Sequence, residues 1–151
     1  MAATDITGKL TLVKGVNSLN NYTRSQAHLI DGSEHAGILT VETHDLFSIP
    51  KGNMLTGLKI VALVNSLSAG GATVQFKAKI GAAAESINAT AIGKADLAAG
   101  DVVVLPVEKI KGYDVENDTV IQLTVGTAAL TQLKLFVIAE YIPVLEFMTM
   151  G

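Results

Sequence analysis

Seven side chains able to ligate a metal or move a proton crowd into one short stretch: His28, Asp31, Glu34, His35, Glu42, His44 and Asp45. They include every histidine of the chain. Imidazoles and carboxylates bind divalent transition metals, and cupin-type jelly rolls draw such ligands from neighbouring strands. On that chemistry Glu42 and His44, two apart and so on one face of a strand, would join His35 around an ion. The competing reading is the stronger one. Exposed faces of half-buried strands commonly carry such residues without any ligand.

Other chemistries find less support. The chain has no cysteine, which removes thiol nucleophiles, thiolate zinc sites and disulfide staples together. No Gly-x-Ser-x-Gly elbow sets a serine against a histidine. Gly93-Lys94 is followed by Ala95, and Asn88 stands where a phosphate loop needs its first glycine. The dinucleotide-binding fingerprint is missing as well. The sequence therefore predicts a protein that is not an enzyme and takes no cofactor.

Charge and hydropathy narrow the partners. A net charge of −3, with 11 scattered basic residues, gives no footprint for nucleic acid. The longest apolar stretch, Leu130 to Met148, is interrupted by Lys134, Glu140, Pro143 and Glu146, so no membrane helix is expected. Met1 to Asp5 lack the basic and apolar regions of a secretory signal, and synthesis in a cytoplasm is the expectation. Three Asn-x-Thr triplets, beginning at Asn21, Asn88 and Asn117, then read as chance in a threonine-rich β protein. Hydrophobic residues make up 49% of the chain against 17% charged, an apolarity that suggests some surface is buried between molecules.

The elements that must carry these residues are strands. Ile6, Gly8, Leu10 and Leu12 alternate with polar neighbours, predicting a first strand. From Lys14 to Glu34 the alternation vanishes, and the amide-rich run Asn17 to Gln26 predicts a long loop or arm over 14–34. Alternation returns over Ile38 to His44, and Pro50 with Gly52 marks a turn. Met54 to Val64 is nearly all apolar, which suits a central strand covered on both faces. Ala72 to Ile80 alternates cleanly. Gly81 to Glu85 has the alanines for a short helical turn, short strands follow near Ile87 to Ile92 and Val102 to Val107, and Glu108 to Asn117 is a polar connection. Thr119 to Val125 and Leu133 to Tyr141 resemble a closing hairpin. Short strands spaced by turn signals, without an amphipathic helix or a repeat, predict an all-β domain over 1–151. Its expected form is an antiparallel β-sandwich with jelly-roll architecture. Pro143 ends the last strand, and an apolar tail follows over 143–151.

Phe47-Ser48-Ile49-Pro50-Lys51-Gly52 before the strand Leu58 to Val64, then Ala98-Ala99-Gly100-Asp101-Val102, Glu116 to Leu123 and a final apolar strand form a sequence of motifs. Together, over roughly Leu39 to Pro143, they resemble the small structural proteins of tailed-bacteriophage heads. The resemblance implies a decoration, or cement, protein on the outer capsid surface of the virion. Its partner would be the major capsid protein, held by many weak contacts acting together. It implies a homo-oligomer, a trimer ahead of a dimer. The arm residues Asn17, Asn20, Asn21, Tyr22 and Arg24 and the tail residues Leu145, Phe147 and Met148 are the expected contacts. Rival readings are another phage structural role at the neck, tail or head-fibre base, a carbohydrate-binding module, and a cupin-like metal enzyme. A chain with no Trp and three Tyr is poorly equipped to stack sugars.

Overall fold

The computed structural model describes residues 24–88, 90–107, 114 and 116–144. The expected first strand over Ile6 to Leu12, the contacts Asn17, Asn20, Asn21, Tyr22, Leu145, Phe147 and Met148, and most of the connection after Glu108 lie outside them. Among the described residues nine strands follow in order: β1 Arg24–Asp31, β2 Thr43–Ile49, β3 Asn53–Ala62, β4 Thr73–Ile80, β5 Ala83–Ser86, β6 Ile92–Gly93, β7 Val102–Pro106, β8 Thr119–Gly126 and β9 Lys134–Pro143. Short 3-10 turns occupy Ala36–Leu39 and Lys94–Asp96. No helix among the described residues is long and apolar enough to cross a membrane.

The strands form two antiparallel sheets, one ordered β1-β9-β3-β7 and the other β2-β8-β4-β5, with β6 added beside β4. First pairs with last, and each next strand inward follows: β1 with β9, β2 with β8, β3 with β7, β4 with β5. This is one long hairpin rolled up on itself, the arrangement of a jelly roll, and it bears out the expected sandwich. It also corrects the closing hairpin. β8 and β9 lie in opposite sheets, each paired with strands far away in the chain. Local alternation shows which face of a strand is buried and is silent about its partner.

The core lies between the sheets. Leu58, Ile60, Leu135, Val137 and Ala139 fill it from one side, and Ile49, Val74, Phe76, Ile121, Leu123 and Val125 from the other. Leu97, Leu130 and Leu133 join them from the connections. In β4 the sequence pattern and the fold agree: Val74, Phe76, Ala78 and Ile80 are buried, and Thr73, Gln75, Lys77 and Lys79 face outward.

Two local expectations give way in the fold, and an alanine-rich segment takes the strand its flanking glycine allows. Residues 24–31, placed in the arm by their polarity, form β1 along β9, with Gln26 donating to the Tyr141 hydroxyl at 3.3 Å. The expected strand over 38–44 is delayed, because Ala36–Leu39 turn and Thr40 Oγ1 donates back to the Gly37 carbonyl at 2.8 Å; strand begins at Thr43. Gly81, at a φ of 62°, reverses the chain so that Ala83–Ser86 pair with β4 as β5, and the alanines' helical preference yields to an open strand edge.

The segment near Ile87 to Ile92 pairs as regular strand only at Ile92 and Gly93, because a buried asparagine takes over the ladder's task. Asn88 Oδ1 accepts the Phe76 amide at 2.7 Å, and the Asn88 carbonyl accepts Gln75 Nε2 at 3.0 Å. Asn88→Ala is expected to leave the buried Phe76 N–H unpaired and to destabilise the fold by about 1–3 kcal/mol. Urea unfolding followed by circular dichroism measures this; an unchanged midpoint would contradict the assignment.

Candidate functional site

The histidine and carboxylate cluster disperses in the fold. His28 lies on β1 and its ring stacks on Phe47 of β2, with centroids 4.1 Å apart and planes at 18°, across the edge where the two sheets meet. His28 Nε2 is also 3.1 Å from Gln26 Oε1. Asp45 Oδ1 accepts from Gln122 Nε2 at 2.7 Å. Glu42 precedes β2, so the expected sharing of a strand face with His44 does not occur. Its Oε1 accepts from Thr40 Oγ1 at 2.8 Å and stands 3.9 Å from His44 Nδ1. His44 Nε2 is 3.0 Å from the Thr40 carbonyl, the geometry of an N–H donated to it. His35, Glu42, His44 and Asp45 line one shallow depression, yet no three such side chains among the described residues are placed to share an ion.

Asp31, at the end of β1, serves the turn that follows. Its Oδ1 accepts the Ser33 hydroxyl at 2.7 Å and the Ser33 amide at 2.9 Å, and Lys134 Nζ stands 3.8 Å from Oδ2. The Ser33 hydroxyl first and the Ser33 amide second hold this carboxyl below the ordinary carboxylate range. Burial opposes them, and the charges of Lys134 and His35 add smaller lowering effects. Stability gained this way is present above the unfolded carboxylate value and is lost as the pH falls through the lower folded value. Ser33→Ala is therefore expected to raise the Asp31 pKa and to cost stability near neutral pH. That cost should vanish in strong acid, where the carboxyl is protonated in both proteins. A carboxyl-carbon NMR titration with urea unfolding at both pH values reads it, and an unmoved Asp31 pKa would contradict it.

The outer faces of the two sheets differ in kind. Across the sheet of β2, β8, β4 and β5, the outward rows read Thr43, Thr124 and Gln75; then Asp45, Gln122, Lys77 and Ser86; then Ser48, Val120, Lys79 and Ala84. That face is polar, as a sheet facing water should be.

The outer face of the other sheet is apolar. In β9, Leu135, Val137, Ala139 and Tyr141 are buried in the core, so Phe136, Ile138, Glu140 and Ile142 face outward, each of them half-buried. Register continues the rows across the sheet. Leu29, Phe136, Val61 and Val102 form one row, and Ala27, Ile138, Lys59 and Val104 the next. Met54 pairs with Ile142 further along. Val102 and Val104 are each 61% exposed and Leu29 is 49% exposed. Charge enters the middle of this face as a closed pair, Lys59 Nζ to Glu140 Oε1 at 2.8 Å. A pair so exposed contributes little to stability, about 0–1 kcal/mol.

β3, expected over Met54 to Val64 and observed over Asn53–Ala62, therefore has one face in the core and one looking outward, uncovered by any described strand. Its signal in the sequence was the unbroken apolar run, repeated in Leu135 to Ala139 and Val102 to Leu105. Such runs belong to strands that are apolar on both faces. The contact residues expected from the sequence lie instead in the arm and the tail. Of those candidates Arg24 alone is described; it is exposed at the head of β1, opposite Tyr141. Arg24 and Val144 lie at the same end of the sandwich, since β1 begins where β9 ends and the Val144 amide donates to the Gly52 carbonyl at 2.8 Å.

Broad exposed apolar faces of this kind are a recognised feature of surfaces that contact other molecules. No protein-family model matches the chain, and no curated protein is similar to it at a significant level.

Proposed function

We propose that this chain is a non-enzymatic structural protein of a tailed-phage head. In this reading it docks on the outer capsid surface through the outer face of the β1-β9-β3-β7 sheet and cements neighbouring copies of the major capsid protein. The observation that carries the docking half is the contrast between the two outer faces. One is polar and complete in water; the other carries Leu29, Phe136, Ile138, Val61, Val102 and Val104. The capsid as partner rests on the likeness of the motifs from Phe47 to Leu123 to small phage head proteins. Association with further copies of the chain belongs to the same reading.

The physics suits a cement. Apolar area removed from water stabilises by roughly 25 cal/mol per Å², and a standard interface covers about 800 Å² on each partner. A lattice offers many equivalent seams, so modest contacts at each act together against expansion of the shell. The arm and the tail, which meet the described sandwich next to one another at Arg24 and Val144, would extend the same contact.

The reading is tested by adding purified chain to heads of the encoding phage that lack it and sedimenting them. The expected result is saturable binding at a fixed number of copies per capsid subunit, together with greater resistance of the heads to heat. Chain left wholly in the supernatant overturns the reading.

A further inference from the structure

The apolar face ends at an edge that no described strand covers. β7 pairs with β3 on one side and with no described strand on the other. Strand edges are usually blunted by charge, by proline or by a covering loop, because their free amides and carbonyls template pairing with another chain. From Val102 to Leu105 this edge is Val-Val-Val-Leu, without a charge, and Val102 and Val104 are its most exposed residues.

We infer that two copies of this chain pair through β7, antiparallel about a twofold axis at Val103, and fuse their four-stranded sheets into one. The partner is a second copy because the edge is complementary to itself. The Ala62 amide donates to the Asp101 carbonyl at 2.9 Å, and the register runs on through Ile60 with Val103. Alternation of an antiparallel ladder then turns the main-chain groups of Asp101, Val103 and Leu105 toward β3 and those of Val102 and Val104 toward the open side.

An axis at Val103 sets Val102 opposite Val104 of the second copy, and Val104 opposite its Val102. Amides meet carbonyls in both pairs. Residues directly opposite in a sheet point to the same face. The outward valines therefore cluster with their mates on the apolar face, and Val103 meets its own copy on the core side. Asp101 falls opposite Leu105, so no charge meets a like charge. An axis at Val104 would instead set Val102 against Pro106, which has no N–H to give. The twofold also joins the two apolar faces edge to edge into one surface, and it yields a dimer where the sequence led us to expect a trimer.

This inference does not depend on what the face binds. The chain has no cysteine, so Val103→Cys introduces a single thiol. The expected result is a disulfide-linked dimer on mild oxidation, with Leu29→Cys, at the far edge of the same face, staying monomeric. Sedimentation equilibrium of the full chain from micromolar to millimolar concentration is expected to show twice 15.7 kDa at the upper end. Val104→Lys should weaken that association at least tenfold, while Leu29→Asp should leave it unchanged. A wild-type chain that stays monomeric throughout overturns the inference, as does equal cross-linking at both cysteine positions or equal weakening by Val104→Lys and Leu29→Asp. Head binding that fails while the dimer persists would count against the capsid reading alone.

Discussion

Phe76→Ala is expected to destabilise the protein by about 3–5 kcal/mol, the range for removing a buried aromatic side chain and leaving a cavity. Phe76 is the largest of the fully buried side chains and sits in the middle of β4, opposite Leu123 of β8. Its amide is held by Asn88, so the residue is fixed from both its side chain and its backbone. For a domain whose whole stability is about 5–15 kcal/mol the loss is large, and the melting temperature should fall by roughly 10–20 °C. Val104→Ala, on the exposed edge, is expected to stay within about 0.5 kcal/mol of wild type. Because Asn88 bonds the backbone amide of residue 76, which Phe76→Ala keeps, the losses of Phe76→Ala and Asn88→Ala should come close to adding in the double variant. Circular dichroism during thermal and urea unfolding measures all three, and a Phe76→Ala loss below about 1 kcal/mol would contradict the placement of the core.

The second large effect belongs to the outer face. Phe136 is the aromatic of that face, flanked in register by Leu29 and Val61. Aromatic anchors near the centre of an interface carry much of its binding energy. Phe136→Ala is therefore expected to weaken binding to phage heads by about tenfold or more, a loss of at least ~1.4 kcal/mol. Leu29→Asp should do the same by a different route, since docking would bury a carboxylate with no partner. Leu29 is half exposed on an edge strand, so its variant should melt close to wild type and separate binding from folding. Lys79→Asp, on the polar outer face of the other sheet, should bind heads normally. Normal binding by both face variants would show that the chain docks elsewhere.

How far the sequence revealed the fold follows from the range of each interaction. The strand over Thr73 to Ile80 was legible because its alternation is decided by its own residues. β1 was not: two of its inward positions are Gln26 and His28, polar side chains made tolerable by Tyr141 and Phe47, residues distant in the chain, and only Ile30 is apolar. The same is true of the jelly-roll order, since no local feature of Thr119 to Val125 announces Phe47, Phe76 and Ala78 as neighbours. The apolar outer face was half visible. The unbroken apolar run of β3 was read as coverage on both sides, and the run itself was the signal. That the second cover is missing from the described chain emerges only when register aligns Leu29, Phe136, Val61 and Val102 in one row. The histidine and carboxylate cluster is close only in sequence, because its members are turned to different partners by a 3-10 turn and a sheet edge.

The central claim, that the outer face of the β1-β9-β3-β7 sheet is the docking surface, is tested most directly by hydroxyl-radical footprinting of the chain free in solution and bound to heads. The account predicts that oxidation of Leu29, Met54, Phe136 and Ile138 falls several-fold on binding, while Lys77 and Lys79 on the opposite sheet react as before. Equal oxidation of the four apolar residues in both states, with protection on the polar sheet instead, would contradict it.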